Sequence, residues 1–490
     1  MISTVLFAAI HSVAMIAPAQ HNKQVVLPDT TAGKEMASFL RSYNSGKSED
    51  ERWKRYFAVY GPLELWSIRK ESAQQLGVWA RGTKTGGWLG LNVILKEQPP
   101  NEVDGIGTVT GFFPSDIVLP KKPLSERQIA SRLNPYLDSL AKEDFFSGSV
   151  LVAKGNHVLF NKSYGLASKS YNVRNRPDTS FNLASGTKLF TALAVASLVE
   201  SGKLKFEDTV GHWLPGYPIE NASTITIHQL LTHTSGLGRS QFHNEGLFDR
   251  LPRSMAELLS MTIAKSAFLP GTDNAYSNEG YLVLGAIVEK ASGMPFFDFV
   301  KSRILQPAGM NNSGWFSGDE EIANVATGYT HWRWKGNRDF EFEDGPRRNT
   351  SFMRAIRGNP ASAAYASAED LFRLSQAIRS GKIVSSQMWS KMTSPYVPLA
   401  QYPGAALEEA YGYGLEIWKV KGNTILTRAG LTDGASSRFD MYPESGYSVI
   451  VLSNYDAGIC NIVADYIVGM LCTDKADAGV EGQKVSTPLG

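Results

Sequence analysis

Strand patterns lie at the two ends of a long segment of this chain, and helical patterns fill its middle. Residues 146–165 read as a hairpin that turns at Gly155, and strand patterns return only between residues 411 and 454. The interval from about 185 to 400 is dominated by helical periodicity, and a last helix begins near residue 459. Segments so far apart can form one antiparallel sheet with a helical lobe beside it. We therefore predict an α/β (α+β) fold for this part of the chain.

A small module precedes this segment. Residues 32–60 have helical periodicity, and they are followed by strand-like runs at 63–69, 75–81, 87–96 and 104–112. We assign the tryptophans of these runs to a core or packing platform: Trp66, Trp79 and Trp88.

The segment 114–124 contains three prolines and two lysines, which marks a domain boundary. We predict a small α+β module over residues 20–120 and a main domain over residues 121–473. Residues 474–490 are small and polar, and we expect them to form a flexible tail.

Composition excludes several classes of protein. The chain has 490 residues, 43% hydrophobic and 20% charged, as is usual for a soluble globular protein. Its net charge of +2 gives no reason to expect nucleic acid as a partner, and no internal stretch has the length and polarity of a membrane span. Cys460 and Cys472 would stand roughly 18 Å apart on a helix, beyond the ~7 Å limit for a disulfide. No metal-binding spacing occurs, so we predict neither a metal nor a cofactor.

The first nineteen residues are apolar and end in Ala17-Pro18-Ala19, which resembles a signal-peptidase site. We therefore predict a signal peptide over residues 1–19 and a periplasmic or secreted location. The basic residues that usually begin a signal peptide are absent, because no lysine or arginine precedes Lys23. A buried N-terminal segment is the alternative.

Ser185 and Lys188 form the strongest chemical feature, within N-L-A-S-G-T-K at residues 182–188. At the start of a helix, residues three apart share one face, with Cβ atoms roughly 5–6 Å apart. The amine can then act as the base for the serine hydroxyl, although a simple helix cap is the alternative role for Ser185. The same spacing occurs at Ser67 and Lys70, but in an alternating, strand-like stretch that points the two side chains to opposite faces.

An activated serine needs a second group to pass its proton to the leaving group. Tyr276 is the candidate, in the loop P-G-T-D-N-A-Y-S-N-E-G-Y that precedes a helical pattern. Considered alone, Tyr276 is better explained as a packed aromatic, and Asn278 as an ordinary helix cap.

Five further segments resemble the serine β-lactamase-like hydrolases, in the branch of class C β-lactamases, family VIII carboxylesterases and D-alanyl-D-alanine carboxypeptidases. They occur in the family's order and extend the resemblance over about residues 125–472. They are L-L-T-H-T-S-G-L (230–237), P-G-T-D-N-A-Y-S-N-E-G-Y-L-V-L-G-A-I-V-E-K-A-S-G-M (270–294), I-L-Q-P-A-G-M (304–310), S-A-A-Y-A-S-A-E-D-L (362–371) and Y-G-Y-G-L (411–415).

The resemblance implies a fold in which N- and C-terminal helices flank the sheet, and it implies roles for particular residues. Ser185 would be the acylated nucleophile, Lys188 its base and Tyr276 the proton shuttle, with Asn278 orienting the substrate. The family's third motif falls on Arg428-Ala429-Gly430, and the N–H groups of Ser185 and Leu431 would form the oxyanion hole.

This third motif departs from the β-lactamase pattern. Arg428 replaces the usual lysine or histidine and could still grip a substrate carboxylate, whereas Ala429 lacks the hydroxyl that often stands there. Carboxylesterases of this type vary at the motif, which favours an ester as the substrate. His233 suggests a catalytic triad, but the resemblance assigns its turn a structural role. The segment 315–357, rich in arginine and aromatic residues, is either a substrate-covering loop or a solvated one.

We therefore predict an exported serine hydrolase that cleaves carboxylic esters through an acyl-serine intermediate, with a small molecule as its substrate. A β-lactamase or D-amino-acid peptidase acting on amides is the first alternative. A sensor or binding protein that is acylated but turns over slowly is the second. Substrate size, chirality and oligomeric state stay open.

Overall fold

The computed structural model of the protein describes residues 25–72, 74–96, 103–110, 113–237, 255–260, 266–316, 320–336, 339–343, 345–351, 358–399, 405–456 and 458–475. The predicted signal peptide (1–19) and nearly all of the predicted tail (474–490) lie outside the described residues. So do residues 352–357 of the possible covering loop.

The N-terminal module consists of two helices and a sheet. Its elements are α1 Thr31–Asn44, α2 Glu51–Tyr60, β1 Leu63–Glu71, β2 Gln75–Gly82, β3 Trp88–Leu95 and β4 Val103–Thr110. The strands are antiparallel in the order β1-β2-β3-β4. Each helix begins at a polar cap, because Thr30 accepts from Gly33 N and Asp50 from Arg52 N. The predicted helical region 32–60 is thus two helices.

The main domain begins with one helix and a hairpin: α3 Glu126–Lys142, β5 Gly148–Lys154 and β6 His157–Tyr164. Ser125 and Gln128 form a reciprocal capping box that starts α3. The hairpin turns at Gly155, whose φ of +57° lies in the region that favours glycine.

The middle of the chain is mostly helical and forms a lobe beside the sheet. Its elements are β7 Leu166–Ser168, β8 Val173–Arg174, β9 Phe181–Asn182, a 3₁₀ turn Ala184–Thr187, α4 Lys188–Glu200, α5 Val210–Trp213, α6 Ile227–Leu231, α7 Met255–Ser260, α8 Glu279–Ser292, α9 Phe296–Val300, a π-helical turn Lys301–Leu305, α10 Gln306–Ala308, β10 Tyr329–Thr330, β11 Trp332–Gly336, β12 Asp339–Phe342, β13 Arg348–Asn349, β14 Tyr365–Ala366, α11 Ala368–Arg379 and α12 Ser386–Met392. Helix α4 lies inside this lobe, since every residue from Lys188 to Leu198 is buried.

The C-terminal part returns to the sheet and ends in a helix. Its elements are β15 Val397–Pro398, β16 Leu407–Tyr411, β17 Glu416–Val420, β18 Asn423–Thr432, β19 Ala435–Met441, β20 Tyr447–Ser453 and α13 Ile459–Leu471. The eight-stranded sheet has the order β15-β16-β17-β18-β19-β20-β5-β6. Strands β20 and β5 pair antiparallel from Tyr447↔Lys154 to Ser453↔Gly148, so distant segments close the sheet as predicted. The predicted fold class is confirmed.

One strand differs from the prediction. The pattern at residues 411–420 predicts a single strand, but β16 ends at Tyr411 and β17 begins at Glu416. Gly414 has a φ of +78° in the intervening turn, a conformation that a strand does not contain. The alternation of apolar residues continued across the turn and concealed it.

The two faces of the large sheet carry separate cores because neighbouring residues of a strand point to opposite sides. In β18, Leu426 packs in the core of the helical lobe. Ile425 packs with α3, α13 and the N-terminal module on the other side. Trp79 and Leu133 belong to this second core, so the module is joined to the main domain by continuous apolar packing.

Both cysteines lie at α13. Cys460 is within the helix and Cys472 caps its C-terminus, and both thiols are free and buried. Among the helices of the described residues, none is both long and apolar enough to cross a membrane.

We expect Trp79→Ala to lower the free energy of unfolding by about 3–5 kcal/mol, because Trp79 is fully buried in the shared core. Urea unfolding monitored by circular dichroism measures the change. Ile68→Ala is the control, since Ile68 lies in the same sheet but is 39% exposed, and it should cost under about 1 kcal/mol. Equal losses in both variants would contradict the assignment of Trp79 to the core.

Candidate active site

A tight turn between β9 and α4 presents Ser185. Asn182 Oδ1 accepts from Ala184 N over 2.8 Å, and Gly186 N donates to Leu183 O over 2.8 Å. Ala184 has a φ of +46°, which is rare for a residue other than glycine and typical of a strained functional turn. The first N–H groups of such a turn have no acceptor within the helix, so the backbone N–H of Ser185 is placed to bind an anion.

Lys188 lies one turn further on and is completely buried. Its Nζ is 3.4 Å from Ser185 Oγ, 2.7 Å from Asn278 Oδ1 and 2.9 Å from Ala361 O. A neutral amine has two N–H groups and one lone pair. The two oxygens of Asn278 and Ala361 can accept the two N–H groups, which leaves the lone pair for the hydroxyl proton of Ser185.

The surroundings of Lys188 favour the neutral amine. Burial, and then the positive charge of Arg428, hold the pKa of Lys188 well below its usual value, while Glu279 opposes them. A lysine with a lowered pKa is a suitable general base.

Tyr276 joins Ser185 to Arg428. Its hydroxyl donates to Ser185 Oγ over 2.7 Å and accepts from Arg428 Nη2 over 3.0 Å. The Lys188 Nζ also lies 4.7 Å from the centre of the Tyr276 ring. The phenol is therefore placed between the nucleophile and a fixed positive charge, where it can pass a proton in either direction.

Arg428 is buried and is held mainly by groups of the protein. Besides Tyr276, its Nε donates to Ser185 O over 2.9 Å and its Nη1 donates to the hydroxyl of Tyr411. Of the five N–H groups of a guanidinium, two have no partner among the described residues. Binding of a substrate carboxylate by Arg428 stays a prediction, and only these two N–H groups are available for it.

His233 supports the site from behind. Its Nδ1 accepts from Ser277 N over 3.1 Å, so the neutral ring carries its proton on Nε2, which lies 2.9 Å from the hydroxyl of Tyr411. The ring packs 4.5 Å from that of Tyr276. Burial holds the pKa of His233 well below its usual value, and the positive charge of Arg428 acts in the same direction. His233 touches the back of Tyr276 and makes no hydrogen bond with Ser185.

Asn278 occupies the N-cap position just before α8, but its side chain does not cap the helix. Its side chain makes no capping hydrogen bond, and its Oδ1 accepts from Lys188 instead. Ser277 Oγ accepts from Gly280 N over 3.0 Å and takes the capping role. The structure thus places Asn278 against the base; its contact with substrate stays a prediction.

The end of β18 forms an open edge next to the turn of Ser185. Strand β17 pairs with β18 only along residues 423–427, so residues 428–432 extend beyond that pairing. A Cβ at position 430 would clash with Leu183 O and lie 2.8 Å from Gly186 N. Only glycine allows this close approach, which brings the backbone of Leu431 beside the turn.

The other Ser/Lys pair has a different setting. Ser67 and Lys70 lie in β1 of the N-terminal module, and Lys70 is exposed. Within the described residues, no three or more His, Cys, Asp and Glu side chains are grouped to hold a metal ion.

Sequence reasoning missed two members of the site. Tyr411 lies in Y-G-Y-G-L, a segment quoted only for its resemblance, and Ala361 immediately precedes another such segment, S-A-A-Y-A-S-A-E-D-L. Their position in or beside those segments was the available signal, but their partners Arg428 and Lys188 could not be deduced from it.

The chain is similar to several known proteins. A family model described as Beta-lactamase matches residues 134–461, which leaves the N-terminal module outside the match. A penicillin-binding protein of Bacillus subtilis (strain 168) is 30% identical over 329 residues, 66% of this chain and 71% of that protein. The esterase EstB of Burkholderia gladioli is 36% identical over 214 residues, 40% of this chain and 54% of that protein. The crystal structure of a penicillin-binding protein from Bacillus halodurans superposes with a TM-score of 0.59 at 31% identity, over 68% of this chain and 98% of that one.

We expect labelling of Ser185 by a fluorophosphonate to slow as the pH falls through the lowered pKa of Lys188, because protonation removes the base. In Arg428→Gln, the loss of a neighbouring positive charge raises the pKa of Lys188, so the acid limb moves to higher pH. The pH profile of the labelling rate measures this. Arg303→Gln, at an exposed position of the lobe, should keep the wild-type profile. An unmoved acid limb in Arg428→Gln would contradict the charge effect.

We expect Tyr411→Phe to slow the same labelling about tenfold, because Arg428 and His233 lose a shared acceptor and hold Tyr276 less firmly. Tyr413→Phe is the matched control: its hydroxyl bonds His228 Nδ1 over 2.8 Å, outside the site. Thermal melting of both variants separates positioning from loss of stability. If both slow labelling equally, Tyr411 has no particular role at the site.

Proposed function

The chain belongs to the β-lactamase family of serine hydrolases, and from this premise we propose that it hydrolyses carboxylic esters through an acyl-serine intermediate. The observation that carries the proposal is the position of Ser185 Oγ, 2.7 Å from the hydroxyl of Tyr276 and 3.4 Å from the amine of Lys188. A base with a lowered pKa and a proton donor thus both lie next to the nucleophilic oxygen.

Acylation begins when Lys188 takes the hydroxyl proton of Ser185 and Oγ attacks the ester carbonyl carbon. The carbonyl oxygen becomes an oxyanion, which the N–H groups of Ser185 and Leu431 stabilise. The tetrahedral intermediate then expels the alkoxide, and Tyr276 protonates it as it leaves. Lys188 returns its proton to Tyr276, so the site is neutral again and the acyl group remains on Ser185.

Deacylation uses the same groups in reverse order. A water takes the place of the alcohol, and Tyr276 with Lys188 removes its proton as it attacks the acyl carbon. Ser185 leaves with a proton and the carboxylic acid is released. Arg428 does not react; it holds the oxygen of Tyr276 and its charge disfavours protonation of Lys188.

The chemistry of the leaving group and the third motif of the chain both favour an ester over an amide. An alkoxide is a better leaving group than an amine, so it needs less precise protonation. The third motif also lacks a hydroxyl at Ala429, and most N–H groups of Arg428 are used within the protein. The identity to an esterase supports the same choice.

Amide hydrolysis is the second candidate. The two remaining N–H groups of Arg428 could bind the carboxylate of a β-lactam or a D-peptide, and a penicillin-binding protein is among the similar proteins. Nitrocefin and D-alanyl-D-alanine peptides, assayed beside p-nitrophenyl esters, distinguish the two. A higher kcat/KM for either amide substrate would favour this candidate over the ester.

We expect Ser185→Ala to lower kcat for p-nitrophenyl acetate by at least about a thousandfold, because the acyl-enzyme cannot form. Intact-mass spectrometry should show a single fluorophosphonate adduct on the wild type and none on the variant. Ser67→Ala is the matched control and should keep full activity and labelling. Full activity in Ser185→Ala would refute the proposed function.

A further inference from the structure

A cavity of about 500 Å³ lies where the N-terminal module meets the end of β18. Helix α2 forms one wall and the start of α13 another, and Leu431 lines it from the sheet. The family match begins at residue 134, so the α2 wall belongs to the part of this chain outside that match.

Leu431 connects this cavity to the catalytic turn. Alternate residues of β18 face opposite sides of the sheet. Arg428 and Gly430 face the turn of Ser185. The side chain of Leu431 faces the other way and lines the cavity, and it is 49% exposed. A substrate that lies along the open edge of β18 therefore passes from Ser185 to the cavity.

The direction of the substrate follows from the proton donor. The leaving group must lie near Tyr276, whose hydroxyl is 3.0 Å from Arg428 Nη2. The oxyanion lies near the N–H of Leu431, three residues further along the strand than Arg428. The alcohol therefore points toward Arg428, and the acyl group points past Leu431 toward the cavity.

The cavity has apolar and aromatic walls. Aromatic and aliphatic side chains line this part of the cavity. These residues are Tyr56, Val59, Tyr60, Trp88, Trp332 and Ile462. This part of the lining can contact an aliphatic or aromatic chain, while most of the remaining lining is polar or charged.

The charged residues of the lining leave one cation without an ion pair. Glu51 pairs with Lys54 over 2.7 Å, and Arg52 lies 3.9 Å from Asp50. Asp465 is 3.9 Å from the buried Arg438. Arg55 has no salt bridge among the described residues, and it packs over the ring of Trp332 at 5.4 Å.

Arg55 also lies close to the catalytic strand. Burial and Asp456 raise the pKa of Asp433, in the turn after β18, and the charge of Arg55 counteracts them. Arg55 and Leu431 line the same cavity, so the guanidinium is near the end of the edge along which the substrate extends. An anionic group at the far end of the acyl chain would supply the ion pair that Arg55 lacks.

We propose that this cavity is the acyl-group site of the enzyme, and that it selects an apolar acyl chain ending in a carboxylate, which Arg55 binds. The inference rests on the proposed ester hydrolysis and names its substrate class: monoesters of dicarboxylic acids. The N-terminal module thereby becomes part of the substrate site.

The test compares p-nitrophenyl esters of equal length with and without the terminal carboxylate. Mono-p-nitrophenyl adipate is measured against hexanoate, and the suberate monoester against octanoate, with acetate as the short reference. We expect kcat/KM of the full-length protein to favour at least one charged ester over its neutral partner by about tenfold. Arg55→Gln should reduce this ratio to about one, and Arg55→Lys should retain part of it.

Arg41→Gln is the matched control, because it removes the same charge from an exposed position of the same module and should keep the wild-type ratio. Trp332→Ala should lower kcat/KM for the long esters relative to acetate. A wild type without a carboxylate preference, or a preference that survives in Arg55→Gln, would overturn the inference while ester hydrolysis stands. If no ester is hydrolysed and Ser185 takes no label, the proposed function fails first and the inference with it.

Discussion

The burial of Lys188 is the constraint on which the rest of the site depends. A lysine with no contact to water is costly in its charged form, so the fold stabilises the neutral amine and thereby creates a base beside Ser185. Asn278 and the carbonyl of Ala361 satisfy its N–H groups, which keeps the amine from being an unpaired polar group. The neighbouring guanidinium of Arg428 strengthens the same preference.

Arg428 connects the residues of the site to three separate parts of the fold. Its three described hydrogen bonds reach the catalytic turn, the loop before α8 and the end of β16. These segments come from distant parts of the chain and meet only because β18 lies beside them. Through Tyr411 the same network reaches His233, which packs behind Tyr276. The phenol is therefore held from several sides, as the proposed mechanism requires of a proton shuttle that keeps its geometry through both half-reactions.

Much of the fold and part of the site could be predicted from the sequence. Periodicity located the four strands of the N-terminal module and the strands that close the main sheet, because each pattern is local. It failed at Gly414, where apolar alternation continued through a turn. Ser185 and Lys188 could be paired because residues three apart near a helix start are neighbours by geometry alone. Tyr276 and Arg428 needed the resemblance, since no local rule brings segments 152 residues apart into contact.

The sequence by itself determined most of the local elements, the pairing of Ser185 with Lys188, and the order of the motifs. Only the tertiary structure decided that Asn278 binds Lys188 and does not cap α8. It also decided that Tyr411 and His233 contact Arg428 and Tyr276, and that α2 lies beside the end of β18. The physical reason is that each of these depends on burial and on contacts between segments far apart in the chain. Residue type and spacing limit which contacts are possible, and packing selects among them.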